Sequence, residues 1–462
     1  MMPLVDTLKN LILELDRTHP NGSVDYDKLD KRVIPTFRRA ETGAERYFTD
    51  AALEELLVIT DALYKGTNGL SQRVLLEEYS TIVQQAVVDC HVTGEFDLIQ
   101  HEVEDCKAFL KNRITAAVAA LKTTFTHYFP AWTLGVEQSK KFVVGPVTFL
   151  TRDQWIASVK FSDKAIRATS PRKGHLFDWK LRLRALLEGK GRKSKNSSLH
   201  DWVYRAIKDC PSVLKVRVSG SVLSMSRQQA RYACRTALDC VALLFDDDSG
   251  KRHRQFVLAD ERLTPIGEST LVESKGNLWF PGSSFHPRGW MGDPLTSPLV
   301  KSAKVKKYLS ACGKIIKALL NPATCATPRL AQRWAVALSV FAEGCREVQD
   351  GLAIAKLCSS LDILSGGGKE KGILALVLHQ TGANAKDVLV KLPQPLTFEK
   401  VVERIYKHGR SQFLHGNHID PMMRFTDERE HATFLARCAL RASVLRWSKY
   451  TGVDDDKAFQ TM

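Results

Sequence analysis

Arg410 and His415 stand five positions apart in Arg410-Ser411-Gln412-Phe413-Leu414-His415-Gly416. An arginine fork can hold a phosphate in the ground state and as charge builds in a transition state. A histidine, titrating near neutrality, can take a proton and return it. On an ideal helix, five residues span about 7.5 Å and about 140° of rotation, so the two would not share a face. The long arginine stem eases this. Gly416 suits the position just past a helix end, which puts His415 in a closing last turn. The negative end of the helix dipole favours a protonated imidazole there. RNA brings its own nucleophile, the 2′-hydroxyl, so a base and a phosphate clamp suffice to cut it without metal. His408 and His418 flank the pair, but their spacing without nearby Cys fits no common zinc pattern, and no metal or cofactor is expected.

A second cluster is basic. Residues 152–195 hold thirteen Lys or Arg and four Asp or Glu. Arg172, Lys173, Lys180, Arg182, Arg184, Lys190, Arg192, Lys193 and Lys195 are the candidate nucleic-acid contacts, with Trp155, Phe161, Phe177 and Trp179 interleaved. Cations beside stacking faces suit a single strand. A third pattern, Asp260 with Glu273-Ser274-Lys275, is that of a magnesium-dependent nuclease, two carboxylates on the ion and a Lys near the phosphate. Ser274 stands where that pattern has an apolar residue, so exposed strand charges are the better account.

The chain must position these groups with 462 residues, too many for one ordinary core. Its net charge of +16 favours an anionic partner, nucleic acid above all. No charged-then-apolar leader stands at Met1 and no run of eighteen apolar residues occurs, so a cytoplasmic chain away from membranes is expected. The ten cysteines form no Cys-x-x-Cys pair and read as reduced thiols.

The fold class expected is α+β multidomain. A helical N-terminal region (1–130) carries Leu53, Leu56, Leu57, Ile59 and Leu63 at helical spacing, with Asp50 as N-cap. A mixed α/β basic region (131–300) opens with strand, turn, strand over Phe142–Leu150. It continues with an alternating strand from Val213 to Val222 and a helix from Ser226 to Phe245. An all-α bundle (301–462) follows. Its first stripe is Trp334, Ala337, Leu338, Phe341, Cys345 and Val348, and its second Ile354, Leu357, Cys358, Leu361 and Leu364. Phe398, Val401, Val402, Ile405 and Tyr406 begin a third, and Leu435, Cys438, Ala442 and Leu445 a fourth.

Residues 332–450 resemble the HEPN superfamily, in its Apea-like HEPN branch. Tyr406 to Gly416 is similar to the motif helix, which runs Arg-Ser, apolar residues, then His-Gly. Ala355 to Leu364 is similar to the second helix, whose acidic residue Asp362 would supply. The resemblance implies a dimerising helical bundle in which the motifs of two subunits line one cleft. It implies RNA cleavage to a 2′,3′-cyclic phosphate without metal, in toxin, antiphage defence or RNA processing. In such a setting the domains upstream would sense a trigger, and the partners expected are RNA, a second copy of the chain, and a trigger protein or partner subunit. Arg410 would bind phosphate, His415 would be general acid or base, and Asp362 would orient one of them. Ser411 stands where many active members have Asn, Asp or His. Asn417 stands where members regulated by tyrosine modification have Tyr. Non-catalytic members bind or dimerise only, which gives the alternative reading: a nucleic-acid-binding sensor or scaffold.

Overall fold

Leu8, Leu11, Ile12 and Leu15 fall on one face of helix α1 (Leu4–Thr18) and are fully buried. The computed structural model describes residues 4–29, 36–40, 42–121, 123–138, 142–169, 178–191, 199–246, 250, 252–261, 266–270, 273–278, 282–286, 302–392, 394–414 and 425–462. The chain divides into two compact units, Met1–Phe125 with Val218–Gln228, and Thr126–Arg217 with Gln229–Met462.

In the first unit a hairpin pairs β1 (Thr36–Arg39) with β2 (Glu45–Phe48), Thr36 opposite Phe48. This hairpin departs from the helical expectation. Four-residue strands rich in charge carry no apolar alternation by which a sequence could announce them. Helix α2 (Asp50–Gly66) is capped by Thr49, whose Oγ1 accepts the Ala52 N–H at 3.1 Å. Asp50, the expected cap, is instead the first helical residue, where its charge meets the positive helix end. Helices α3 (Leu76–Val92) and α4 (Val103–Ala120) complete the core with Val83, Val87, Leu110 and Ile114.

Five strands form an antiparallel-rich sheet, most of it in the second unit. They are β3 (Thr124–Trp132), β4 (Phe142–Val144), β5 (Val147–Thr151), β6 (Ser212–Ser219) and β7 (Val257–Leu258), in order β4-β5-β6-β3-β7. Val216 and Val218 are buried and Lys215 and Arg217 exposed, so the alternation expected there is the sheet's two-faced pleat. The strand stops at Ser219, short of Val222. Between β5 and β6 lie helices α5 (Arg152–Ser158), α6 (Asp163–Thr169), α7 (Trp179–Leu187) and α8 (Leu199–Ile207). Helix α9 (Leu223–Phe245) follows β6, starting a turn earlier than expected, and a short α10 (Arg252–Gln255) precedes β7.

The C-terminal helices are α11 (Ala303–Leu320), α12 (Pro328–Arg346), α13 (Asp350–Leu364), α14 (Lys369–Thr381), α15 (Phe398–Glu403) and α16 (Thr426–Trp447). The turn between β4 and β5 sits backbone to backbone on α11. A Cβ at Gly145 (φ +57°) would lie 2.5 Å from the Gly313 carbonyl oxygen, so neither glycine can carry a side chain. Small residues also bring α12 and α13 together. A Cβ on Gly344 would stand 2.9 Å from Leu357 Cγ, and Ser360 Oγ donates to the Ala337 carbonyl at 2.7 Å. Trp334 is buried among these helices, and its indole N–H donates to Leu440 O at 3.0 Å. On α16 the fully buried face is Leu435, Ala436, Ala439, Leu440 and Val444. The stripe expected through Cys438, Ala442 and Leu445 is its half-buried flank. Val348, expected in the first stripe, lies beyond the end of α12 and is exposed. The described residues are thus mostly helical, with one five-stranded sheet and four two-stranded pairings; one of these, Val388–Val390 with Leu396–Thr397, lies in the region expected to be all-α. No helix of the described residues is long and apolar enough to cross a membrane. All ten cysteines are free thiols.

Candidate active site

Helix α15 runs directly into a π-helical segment, Arg404–Ser411, and then into a last α-helical turn, Gln412–Leu414. Hydrogen bonds from i to i+5 widen the backbone, and such segments recur at functional sites. The segment lies along α13. Ile405 is fully buried and its carbonyl accepts the Cys358 thiol at 3.3 Å. A Cβ on Gly409 would come 2.6 Å from Ile354 Cγ2, so only glycine permits this approach. One turn on, the Phe413 ring seats on Gly351, where a Cβ would meet it at 2.4 Å. Two glycines, one on each partner, therefore set the depth at which the motif is held.

Arg410 emerges from this docked segment half-buried. Its Nη1 donates to the Tyr406 hydroxyl at 3.0 Å, and its guanidinium carbon lies 5.2 Å from the centre of that ring. Its Nε is buried and has no hydrogen-bond partner among the described residues. The surrounding cations differ. Arg404 pairs with Glu428 at 2.6 Å, Lys407 with Glu403 at 3.0 Å, and Arg429 with Asp350 at 2.8 Å. No such carboxylate pairs with Arg410 among the described residues. Among the described residues this five-donor fork has one committed bond, to a neutral hydroxyl, which leaves donors for an anion.

Asp362 and Arg410 share the neighbourhood of Cys358. Burial pushes that thiol up to about 12, with Arg410 opposing the shift and Asp362 adding to it. The Asp362 carboxylate accepts the Lys369 N–H at 3.1 Å and so caps α14 beyond the left-handed Gly366-Gly367-Gly368 turn. No bond joins it to Arg410 among the described residues. His415 lies outside the described residues, as do Gly416, Asn417 and His418.

Of the basic cluster, Lys180, Arg182 and Arg184 lie on α7, and Lys190 follows it, paired with Glu188 at 3.0 Å. Arg172, Lys173, Arg192, Lys193 and Lys195 lie outside the described residues, with Phe177. The other interleaved aromatics are not stacking faces. Trp179 is buried with Ile156, Leu183 and Ile207, and Trp155 and Phe161 pack against them. Trp179, Leu183 and Leu186 recur at i, i+4 and i+7, a helical core stripe whose intervening cations point outward.

The magnesium pattern is not assembled. Asp260 is ion-paired with Arg231. Glu273 belongs to a two-residue hairpin, and Lys275 occupies its turn (φ +54°) rather than the strand. No group of three His, Cys, Asp or Glu among the described residues could hold a metal ion.

One charged centre has no counterpart in the sequence reading. Asp239 of α9 is buried and ion-paired with Arg346 at the end of α12. His253 of α10, also fully buried, places Nδ1 at 3.6 Å from the same carboxylate. Burial pushes Asp239 upward, but Arg346, His253 and Arg235 hold it below the ordinary carboxylate value. Arg346 also donates to the His253 carbonyl at 2.9 Å, and Arg235 pairs with Glu343. Above them a cavity of about 390 Å³ is lined by Arg235, Glu261, Glu343, Arg346, Glu347, Val348 and Lys356. Its charges close on one another, Lys356 on Glu347 at 2.8 Å included, so the centre ties α9, α10 and α12 together. A signal existed: Asp239 interrupts the apolar run Ala237, Leu238, Cys240, Val241, and a charge so placed demands a partner.

No known protein family, curated protein or solved structure matches the chain.

Proposed function

We propose that the chain is a metal-independent endoribonuclease of the HEPN type, acting as a homodimer or higher oligomer in a toxin or antiphage defence setting. Arg410 grips the scissile phosphate. His415 takes the proton of the 2′-hydroxyl or delivers one to the departing 5′-oxygen. The 2′-oxygen–phosphorus bond forms as the phosphorus–5′-oxygen bond breaks, leaving a 2′,3′-cyclic phosphate and a 5′-hydroxyl. The observation that carries this reading is Arg410, held on a π-helical segment with no carboxylate partner among the described residues.

The test is total RNA with chelator and purified wild type, Arg410→Ala or His415→Ala. Cyclic-phosphate ends with wild type alone support the reading. Cleavage surviving in both variants, or abolished by chelator in wild type, overturns it. A second reading, a non-catalytic nucleic-acid-binding and dimerising protein, is favoured by Asp362, whose carboxylate is spent on capping α14. Salt-sensitive RNA binding without cleavage would select it.

A further inference from the structure

Strands β5 and β6 are antiparallel neighbours, and Thr151 lies opposite Ser212. Two residues would suffice to join strand ends so placed. The chain inserts residues 152–211 there instead. The insertion is not required to close the sheet, and it has a core of its own. Ile156, Trp179, Leu183 and Ile207 are buried together, with Val203 and Tyr204 packed against them. The insertion is unusual in composition: residues 152–211 hold fifteen Lys or Arg and six Asp or Glu, nine of the chain's sixteen net positive charges.

On α8, Val203, Tyr204 and Ile207 turn inward, while Trp202 remains 56% exposed. Arg205, one turn further on, is exposed on the same side. On α7, Leu181 is 64% exposed, with exposed Arg182 and Arg184 beside it. A large aromatic left in water on so basic a surface has a use if a flat ring stacks on it. A nucleic-acid base is such a ring, and its phosphates answer the cations. A duplex keeps its bases stacked inside, so the exposed indole selects a single strand.

We propose that α7 and α8 form a platform for single-stranded RNA, a base stacking on Trp202 and phosphates lying against Arg184 and Arg205. The choice of RNA rests on the ribonuclease reading; the single-stranded character does not. The experiment is fluorescence anisotropy of the full chain with a labelled 2′-O-methyl oligouridine of twenty nucleotides, which lacks the hydroxyl that cleavage needs. Because Trp202 is exposed, Trp202→Ala should fold as wild type, and it is expected to weaken binding roughly ten- to hundredfold. Trp202→Phe, which keeps a ring, should recover most of that loss. Arg184→Gln with Arg205→Gln should reduce the salt slope of binding by about 1.4. Unchanged affinity in Trp202→Ala overturns the platform, as does a duplex of the same length bound more tightly than the single strand. Because this probe cannot be cut, Trp202-dependent binding by a protein that cleaves no RNA would leave the platform standing and fell only the nuclease reading.

Discussion

His19 in the first unit and Arg410 in the second are both basic side chains withdrawn from water at helix ends, and they are treated oppositely. His19 is closed. Its Nδ1–H donates to Leu15 O at 3.1 Å and its Nε2 accepts the Tyr47 N–H at 3.0 Å. Beside it, Arg46 donates to His91 Nδ1 at 2.8 Å and to Gly22 O at 3.1 Å, and His91 Nε2 meets Asp16 at 3.1 Å. Arg410 is open, with one bond to a neutral hydroxyl and a buried Nε that nothing among the described residues satisfies. A buried donor without a partner is destabilising, by about 1–3 kcal/mol. Arg152, Arg235 and Arg333 also have a buried Nε without a hydrogen-bond partner among the described residues, but Arg235 and Arg333 are ion-paired with carboxylates, whereas Arg410 has no carboxylate partner there and is placed where a ligand could supply one. The Asp239–Arg346 centre resembles His19 in that its charges are ion-paired, although Arg235 Nε and both His253 ring nitrogens are buried without a hydrogen-bond partner among the described residues.

If that contrast is right, breaking a closed centre should unfold the protein and breaking the open one should not. The largest effect is expected at Arg346→Ala. It strands Asp239 without its guanidinium in the interior, a loss of about 3–5 kcal/mol. All eight tryptophans lie in the second unit, so tryptophan fluorescence during denaturant unfolding reads this unit selectively. A loss under about 1 kcal/mol would mean the centre is not the tie between helices described above. Acid gives the next effect. Burial, with help from Arg46, lowers His19 to about 4. Its unfolded value is about 6.5, so neutral His19 contributes stability that is complete above about pH 6.5 and lost as pH falls toward 4. A protonated ring would turn its Nε2–H against the Tyr47 N–H that now donates to it. The first unit should lose up to about 3 kcal/mol across that window. Amide exchange of α1 and β2, measured at pH 7 and pH 5, reads this directly, and equal protection at the two would refute it.

How far all this was legible depends on the range of the interactions. The C-terminal helices announce themselves because Trp334, Leu338 and Phe341, or Leu357, Leu361 and Leu364, repeat at the helical period within one segment. Arg410 was legible as a residue type at a helix end. Its setting was not, since a π-helical register has no period that apolar spacing assumes, and the partners that permit it, Ile354 and Gly351, lie on another helix. The Asp239–Arg346 pair closes over 107 positions of sequence, beyond any local pattern. The aromatics of the insertion mislead for a different reason. Their basic neighbours suggested a surface, while the i, i+4, i+7 spacing of Trp179, Leu183 and Leu186 already implied a core.

Two smaller effects sharpen the contrast at the open site itself. Gly351→Ala places a methyl within the Phe413 ring and must displace the ring or tilt the motif segment. Overpacking of this kind costs about 1–3 kcal/mol, offset by up to about 1 kcal/mol from the better helix former. The net loss should be local, seen as faster amide exchange in 405–413 with α1 unchanged, and RNA cleavage should fall with it. Arg410→Ala should change stability least of all, by less than about 1 kcal/mol, because it removes one hydrogen bond to Tyr406 and also removes an unsatisfied donor. Denaturant midpoints of the two variants beside wild type decide between structure and function at this position. A side chain that holds the fold would rank Arg410→Ala with Arg346→Ala. A side chain held open for phosphate would leave the midpoint almost where it was while cleavage disappears, and added inorganic phosphate would then stabilise wild type more than the variant.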